Sequence, residues 1–181
     1  MMADTLEQTD IGRAMLKGVE TREGSVLSAE KTKPKLYLID IENFVGQINR
    51  RNVGLAQALI DEMCPVESWD RIIVGTGDAI ALNHFSCLWP QAECVFKPGF
   101  NGADLALLRM LNHVELSNFS EVIIASGDHI FAQPTKELLK GGKPVTIVSR
   151  ETTISDQFYQ TDARIITYNS RSIAWLCPGG F

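Results

Sequence analysis

Residues 121–131 read EVIIASGDHIF. Val122 to Ala125 form an unbroken, mostly β-branched apolar run, followed at once by the turn formers Ser126 and Gly127 and by an acid, Asp128. A short apolar run that does not alternate with polar residues reads as a strand buried on both faces, the pattern of a parallel sheet. Upstream, KLYLID (35–40) has the same form and also ends on an acid, Asp40. RIIVGT (71–76), AECVF (92–96), PVTIVS (144–149) and RIITY (164–168) complete a set of short strands.

Between the strands lie segments of helical length. GLAQALIDEMC (54–64), AIALNHFSCLW (79–89), ADLALLRMLNHVE (103–115) and IFAQPTKELLKG (130–141) space their apolar residues as helices do. Pro90 stops the second. Pro134 fits the first turn of the fourth, and Gly141 and Gly142 end it. In the 103–115 helix, Leu105, Leu108 and Leu111 or their neighbours are expected to face the core. SDQFYQ (155–160) reads as a short helix started by Ser155. Strands alternating with helices predict an α/β architecture: a central, mostly parallel sheet of five to six strands with helices on both faces. Residues 34–169 are expected to form this domain. Residues 1–33 are expected to be a flexible or partly helical extension, and 170–181 a C-terminal extension.

The chain has 181 residues, 45% of them hydrophobic, enough for one core. It lacks the apolar stretches of a membrane span or signal peptide, so a soluble, cytoplasmic protein is expected. Cys64, Cys87, Cys94 and Cys177 form no CxxC or Cys/His cluster, which disfavours a disulfide framework or a zinc site. A net charge of −5 argues against nucleic-acid binding at first sight. A cluster of metal-binding acids would make the apo-chain more negative, however, and a local basic rim is compatible with an acidic total.

In a parallel sheet the strand C-termini share one edge, and ligands of open α/β sheets bind there. Asp40 and Asp128 follow their strands directly, and Asp104 opens a helix on the same side. A lone aspartate in any of these places would serve as a turn or helix-start residue. Three at one edge are costly unless a cation neutralises them, and oxygen donors suit a hard ion such as Mg²⁺ or Mn²⁺. Glu42 and Asn43 follow Asp40 within one turn. Asn43 is a candidate to hold a phosphate oxygen or orient Asp40, and Ser126 to orient a carboxylate or a metal water. Asp78 sits after the second strand, where helix capping competes with an outer role. Lys97 and Arg150 fall after strands and are candidates for a phosphate-holding rim; Arg109, Lys143 and Arg164 are weaker ones. His129 reads as an exposed turn histidine. There is no GxxxxGK[ST], GxGxxG or GxSxG motif, and no second aspartate two residues after Asp40, which disfavours an aspartyl-phosphate phosphatase.

Taken in order, LIDIENF, GADLALL, IIASGDHIF, GGKPVTIV and SDQFYQTDARIITY resemble the NYN domain family of the PIN-like nucleases over roughly residues 35–168. The resemblance implies a Rossmann-like PIN fold and Mg²⁺- or Mn²⁺-dependent RNA cleavage. Asp40, Asp104 and Asp128 would be metal ligands and catalytic residues, supported by Asn43 and Ser126. Asp162 matches a frequent family aspartate. Many relatives read SGDxDF where this chain has Ile130, which removes one potential ligand; Glu42 or Asp78 are the candidates to replace it. The expectation is an endoribonuclease with RNA as partner and no membrane, homo-oligomerisation being left open. The competing expectation is a catalytically weak or inactive module of the same fold that binds RNA or protein. A third is a metal-dependent hydrolase of small phosphate esters. The mechanism requires the three aspartates to converge.

Overall fold

The computed structural model describes residues 32–169. The extensions expected at 1–33 and 170–181 lie outside them, apart from Thr32 and Lys33. Lys33 Nζ donates to the Ser117 carbonyl at 2.9 Å.

Six parallel strands, β1 (Lys35–Asp40), β2 (Arg71–Thr76), β3 (Ala92–Phe96), β4 (Glu121–Ala125), β5 (Val145–Arg150) and β6 (Arg164–Tyr168), form one sheet in the order β3-β2-β1-β4-β5-β6. Strand order reverses between β1 and β4. This is the Rossmann-like arrangement, with its crevice beyond the C-termini of those two strands. Ile39 stands opposite Ala125 in the ladder, so Asp40 and Ser126 emerge side by side.

The four inner strands β2, β1, β4 and β5 are buried on both faces because each face meets a separate core, while the edge strands β3 and β6 are only partly buried. Tyr37 and Ile39 of β1 pack with Val53, Ile60, Phe85 and Trp89. These come from α2 (Arg50–Met63) and α3 (Ala81–Leu88), with Trp89 at the C-cap of α3. Leu36 and Leu38 pack on the other side with Leu107, Leu111 and Leu138 of α4 (Gly102–His113) and α5 (Ala132–Lys140). The non-alternating strand sequences are the imprint of this doubly covered sheet.

Three local features add detail that the sequence pattern lacks. A five-residue helix, α1 (Ile41–Val45), follows β1 directly and carries Glu42 and Asn43. It is too short to leave a hydrophobic period. In α4 the buried stripe is Ala103, Asp104, Ala106, Leu107 and Leu111, whereas Leu105 is 40% exposed and Leu108 half-buried. The stripe therefore runs through Leu111 and through Ala106 and Leu107, the neighbours of Leu105 and Leu108, and Asp104 lies on its buried side. Gly75 permits this: a Cβ there would stand 2.6 Å from Leu107 Cγ and 2.8 Å from the Ala103 carbonyl oxygen. Without that atom, the first turns of α4 lie close against β2. Residues 155–160 fold as turns ending in a 3-10 helix (Phe158–Gln160), not an α-helix.

Candidate metal centre

The crevice at the switch point is an open cleft of about 440 Å³. Asp40, Glu42, Asp78, Asp104 and Asp128 line it, and among the described residues no Lys, Arg or His does. The acids expected from sequence thus reach one place from four different strand–helix junctions.

Asp40 is the innermost. Its Oδ1 accepts from the Asn43 backbone N–H at 3.3 Å, capping α1, and its Oδ2 accepts from Ser126 Oγ at 3.1 Å. Asp104 is also buried, and the two carboxyls lie near enough to perturb each other's ionisation. Burial, followed by the Asp104 charge, pushes Asp40 from the ordinary 3.8 up to about 8. Burial also raises Asp104, with the charges of Asp128 and Glu42 adding to it. Two buried carboxyls side by side resist ionising together, so both are held above the ordinary carboxylate range.

Glu42 is held from the neighbouring strand: its Oε1 accepts from Thr76 Oγ1 at 2.9 Å and from the Gly77 N–H at 2.7 Å. Its Oε2 is buried with no hydrogen-bond partner, and so is Asp104 Oδ1. Buried acceptors left without donors are uncommon and costly in a folded protein. Here both belong to acids lining a single cleft.

Asp128 lies on the rim. Its Oδ1 accepts from the Ile130 N–H at 2.9 Å and faces His129 Nδ1 at 2.9 Å. The carboxylate therefore caps the 3-10 turn His129–Phe131 while lining the cleft. Ser126, fully buried, ties the two strands together by donating to Asp40 and accepting from the Asp128 N–H at 3.2 Å. Among the described residues, no group of three His, Cys, Asp or Glu side chains is placed to hold a metal ion. Asp40 and Asp104 are neighbours, whereas the Asp128 carboxylate is engaged in its own turn. Ile130 packs against the hydrophobic core, so an apolar anchor stands at the position of the second acid of SGDxDF.

The other expected residues fall into three groups. Asn43 braces the site: its amide oxygen accepts from the Gly127 N–H at 2.9 Å, locking the β1 and β4 loops together. That leaves the NH₂ end of the amide as the one with capacity for a phosphate oxygen. Asp78 is an exposed turn residue whose Oδ1 accepts from the Ile80 N–H at 2.8 Å. Arg150 does not line the cleft; its Nη2 donates to the Asn43 carbonyl at 2.7 Å, acting as a strut under α1. Lys97 lines a neighbouring groove, and exposed Asp162 precedes β6, at the opposite edge of the sheet. Two contributors left little trace in the sequence: Thr76, whose hydroxyl fixes Glu42, and Phe100, which lines the cleft although it is 94% exposed.

The donor set is all oxygen, it carries two orphaned acceptors, and it lacks a cation of its own. These residues fit a hard divalent ion better than a soft one. No protein-family model matches this chain, and no curated protein does. The functional reading accordingly rests on the cleft.

Proposed function

We propose that the protein is a metal-dependent endoribonuclease of the PIN-like type. One observation carries the reading: five carboxylates line one cleft at the switch point with no cationic side chain among its described lining residues. Asp40, Asp104 and Asp128 would hold Mg²⁺ or Mn²⁺, with Glu42 Oε2 as the supplementary acid in place of the one that Ile130 replaces. The bound ion supplies a water that ionises near neutral pH and offsets negative charge on the phosphate.

The chain's own residues have separable tasks. Asp40 and Asp104 would both present ionised carboxylates to a bound ion, whose charge offsets the repulsion that raises them. Ser126 and the Asn43 N–H keep Asp40 in a single rotamer, and Thr76 and Gly77 do the same for Glu42. Asn43 presents its amide NH₂ to a phosphate oxygen while its oxygen holds Gly127. His129, 70% exposed, places Nδ1 2.9 Å from Asp128 Oδ1. RNA as substrate comes from the resemblance of the ordered motifs to the NYN family.

Incubation of labelled RNA with Mn²⁺ tests this. Wild type is expected to cleave, and Asp128→Asn and Asp104→Asn to lose more than about a hundredfold in rate, beyond the 10- to 100-fold typical of outer partners. RNA binding without Mn²⁺-dependent cleavage would favour the second reading, a binding module of the same fold. The core-packed Ile130 is the observation on its side. Turnover of mononucleotides but not RNA would favour a small-substrate hydrolase.

A further inference from the structure

Along the outer flank of α4 runs a groove unlike the acidic cleft. It measures about 630 Å³ and lies between α4 and β3, the strand at one edge of the sheet. Buried or half-buried Val95, Ala106 and Met110 form its apolar floor. Leu105, 40% exposed, stands beside them with the exposed side chains of Lys97, Arg109 and His113. Acids outnumber Lys and Arg by 22 to 17 in this chain, yet none lines the groove among the described residues. Neither Lys97 nor Arg109 has an ion-pair partner among those residues. Glu93, the acid of β3, is held by Arg71 of β2 at 2.7 Å.

The edge and the spacing both suit a polypeptide. β3 has β2 on one side and, among the described residues, no strand on the other. Alternate peptide groups of such a strand face away from the sheet, and an added strand satisfies them with its own main chain. Leu105, Arg109 and His113 follow one another at four-residue intervals on α4, which sets them about 6 Å apart along the helix axis. Every second side chain of a strand stands about 6.6 Å from the next. A strand laid beside β3 therefore sets one face of its side chains against successive positions on α4. A nucleic-acid strand would use the cations and leave both the aliphatic floor and the edge peptide groups unmatched. Charge complementarity selects the side chains of the partner: free cations and no acid in the groove call for carboxylates between apolar residues.

We propose that the β3–α4 groove docks an extended acidic segment of a protein partner, added as a strand beside β3. Its apolar side chains cover Leu105 and Met110, and its carboxylates meet Lys97 and Arg109. The proposal is independent of the hydrolytic reading of the cleft.

Fluorescence anisotropy with the full chain tests it. The probe is a labelled octapeptide with valine and glutamate alternating at its odd positions and threonine at its even ones, so that valine and glutamate share a face. It is compared with its lysine-for-glutamate counterpart and with the same glutamate peptide N-methylated throughout its backbone. The glutamate peptide is expected to bind about tenfold more tightly than either. Arg109→Glu, at an exposed position, is expected to weaken it about tenfold and to bind the lysine peptide more tightly than wild type does. Equal affinity for the glutamate and lysine peptides overturns the proposal. So does unchanged affinity in Arg109→Glu, or N-methylated peptide bound as well as its parent. Twelve-nucleotide oligo-U bound through Arg109 while the glutamate peptide fails to bind assigns the groove to nucleic acid and overturns it too. Self-association in sedimentation that Arg109→Glu abolishes, again with no peptide bound, assigns the groove to a second copy of the chain with the same consequence.

Discussion

If Asp40 is kept for chemistry, replacing it should make the metal-free fold more stable. Asp40→Asn is nearly isosteric. The amide oxygen can still accept from the Asn43 N–H, since Asn caps helices as well as Asp does. Its NH₂ can donate to Asp104, and the Ser126 hydroxyl can turn to accept. What disappears is the cost of ionising a buried acid beside another. Asp40 ionises near 3.8 in the unfolded chain and near 8 in the folded protein. Between those values the folded state holds a proton that the unfolded state has released, so stability is fully present below about pH 4 and falls as pH rises toward 8. The span from 3.8 to about 8 bounds the loss at about 6 kcal/mol, taking ~1.4 kcal/mol per tenfold in proton affinity. The cleft is open along one side and water entering it relieves much of this, so we expect about 2 kcal/mol. Urea denaturation in EDTA at pH 5 and pH 8 reads it directly. Wild type should lose stability between the two values, and Asp40→Asn should be nearly flat and the more stable protein at pH 8. Mn²⁺ at a hundred times its Kd should add about 2.7 kcal/mol to wild type and far less to the variant, inverting the order. If Asp40→Asn is the less stable protein at pH 8 in EDTA, its bonds to Asn43 and Ser126 outweigh its burial. The acid pair is then structural.

Gly127→Ala places a Cβ 2.4 Å from both Ser149 Oγ and the Thr153 carbonyl oxygen, so thermal denaturation should show a loss of about 1–3 kcal/mol or more. Asn43→Ala removes the acceptor of the Gly127 N–H; a cost of about 1–3 kcal/mol is expected, with weakened Mn²⁺ binding in the same calorimetric experiment. Tyr168→Phe deprives the buried Phe44 carbonyl of the Tyr168 hydroxyl, and about 1–2 kcal/mol should be lost in urea with no change in cleavage rate.

The inner strands were legible because burial on both faces leaves a mark in every residue: Leu36 and Ile39 are apolar for two different cores, and no solvent face interrupts the run. Asp40 and Asp128 were legible for a related reason. A charged residue ending such a run must emerge at the sheet edge, whatever packs around it. Asp104 was harder to place, because a helix-start acid and a cleft acid look alike in sequence. The inward turn of α4 that separates them depends on the missing Cβ of Gly75, a residue 29 positions away. Nor could sequence decide between tasks for the polar partners. Arg150 and Asn43 read as phosphate contacts, yet Asn43 ties the β1 and β4 loops together and Arg150, from β5, braces α1.

Sequence by itself determined the α/β alternation, the parallel sheet and the edge to which the acids belong, since these follow from local hydrophobic patterning. Only tertiary structure decided that Asp40 and Asp104 are neighbours, that Glu42 and Asp104 keep unpartnered oxygens, and that Asp128 divides its carboxylate between a turn and the cleft. Those facts depend on which strands are neighbours and how closely a helix lies on them. Contacts between residues so far apart in the chain leave no local pattern.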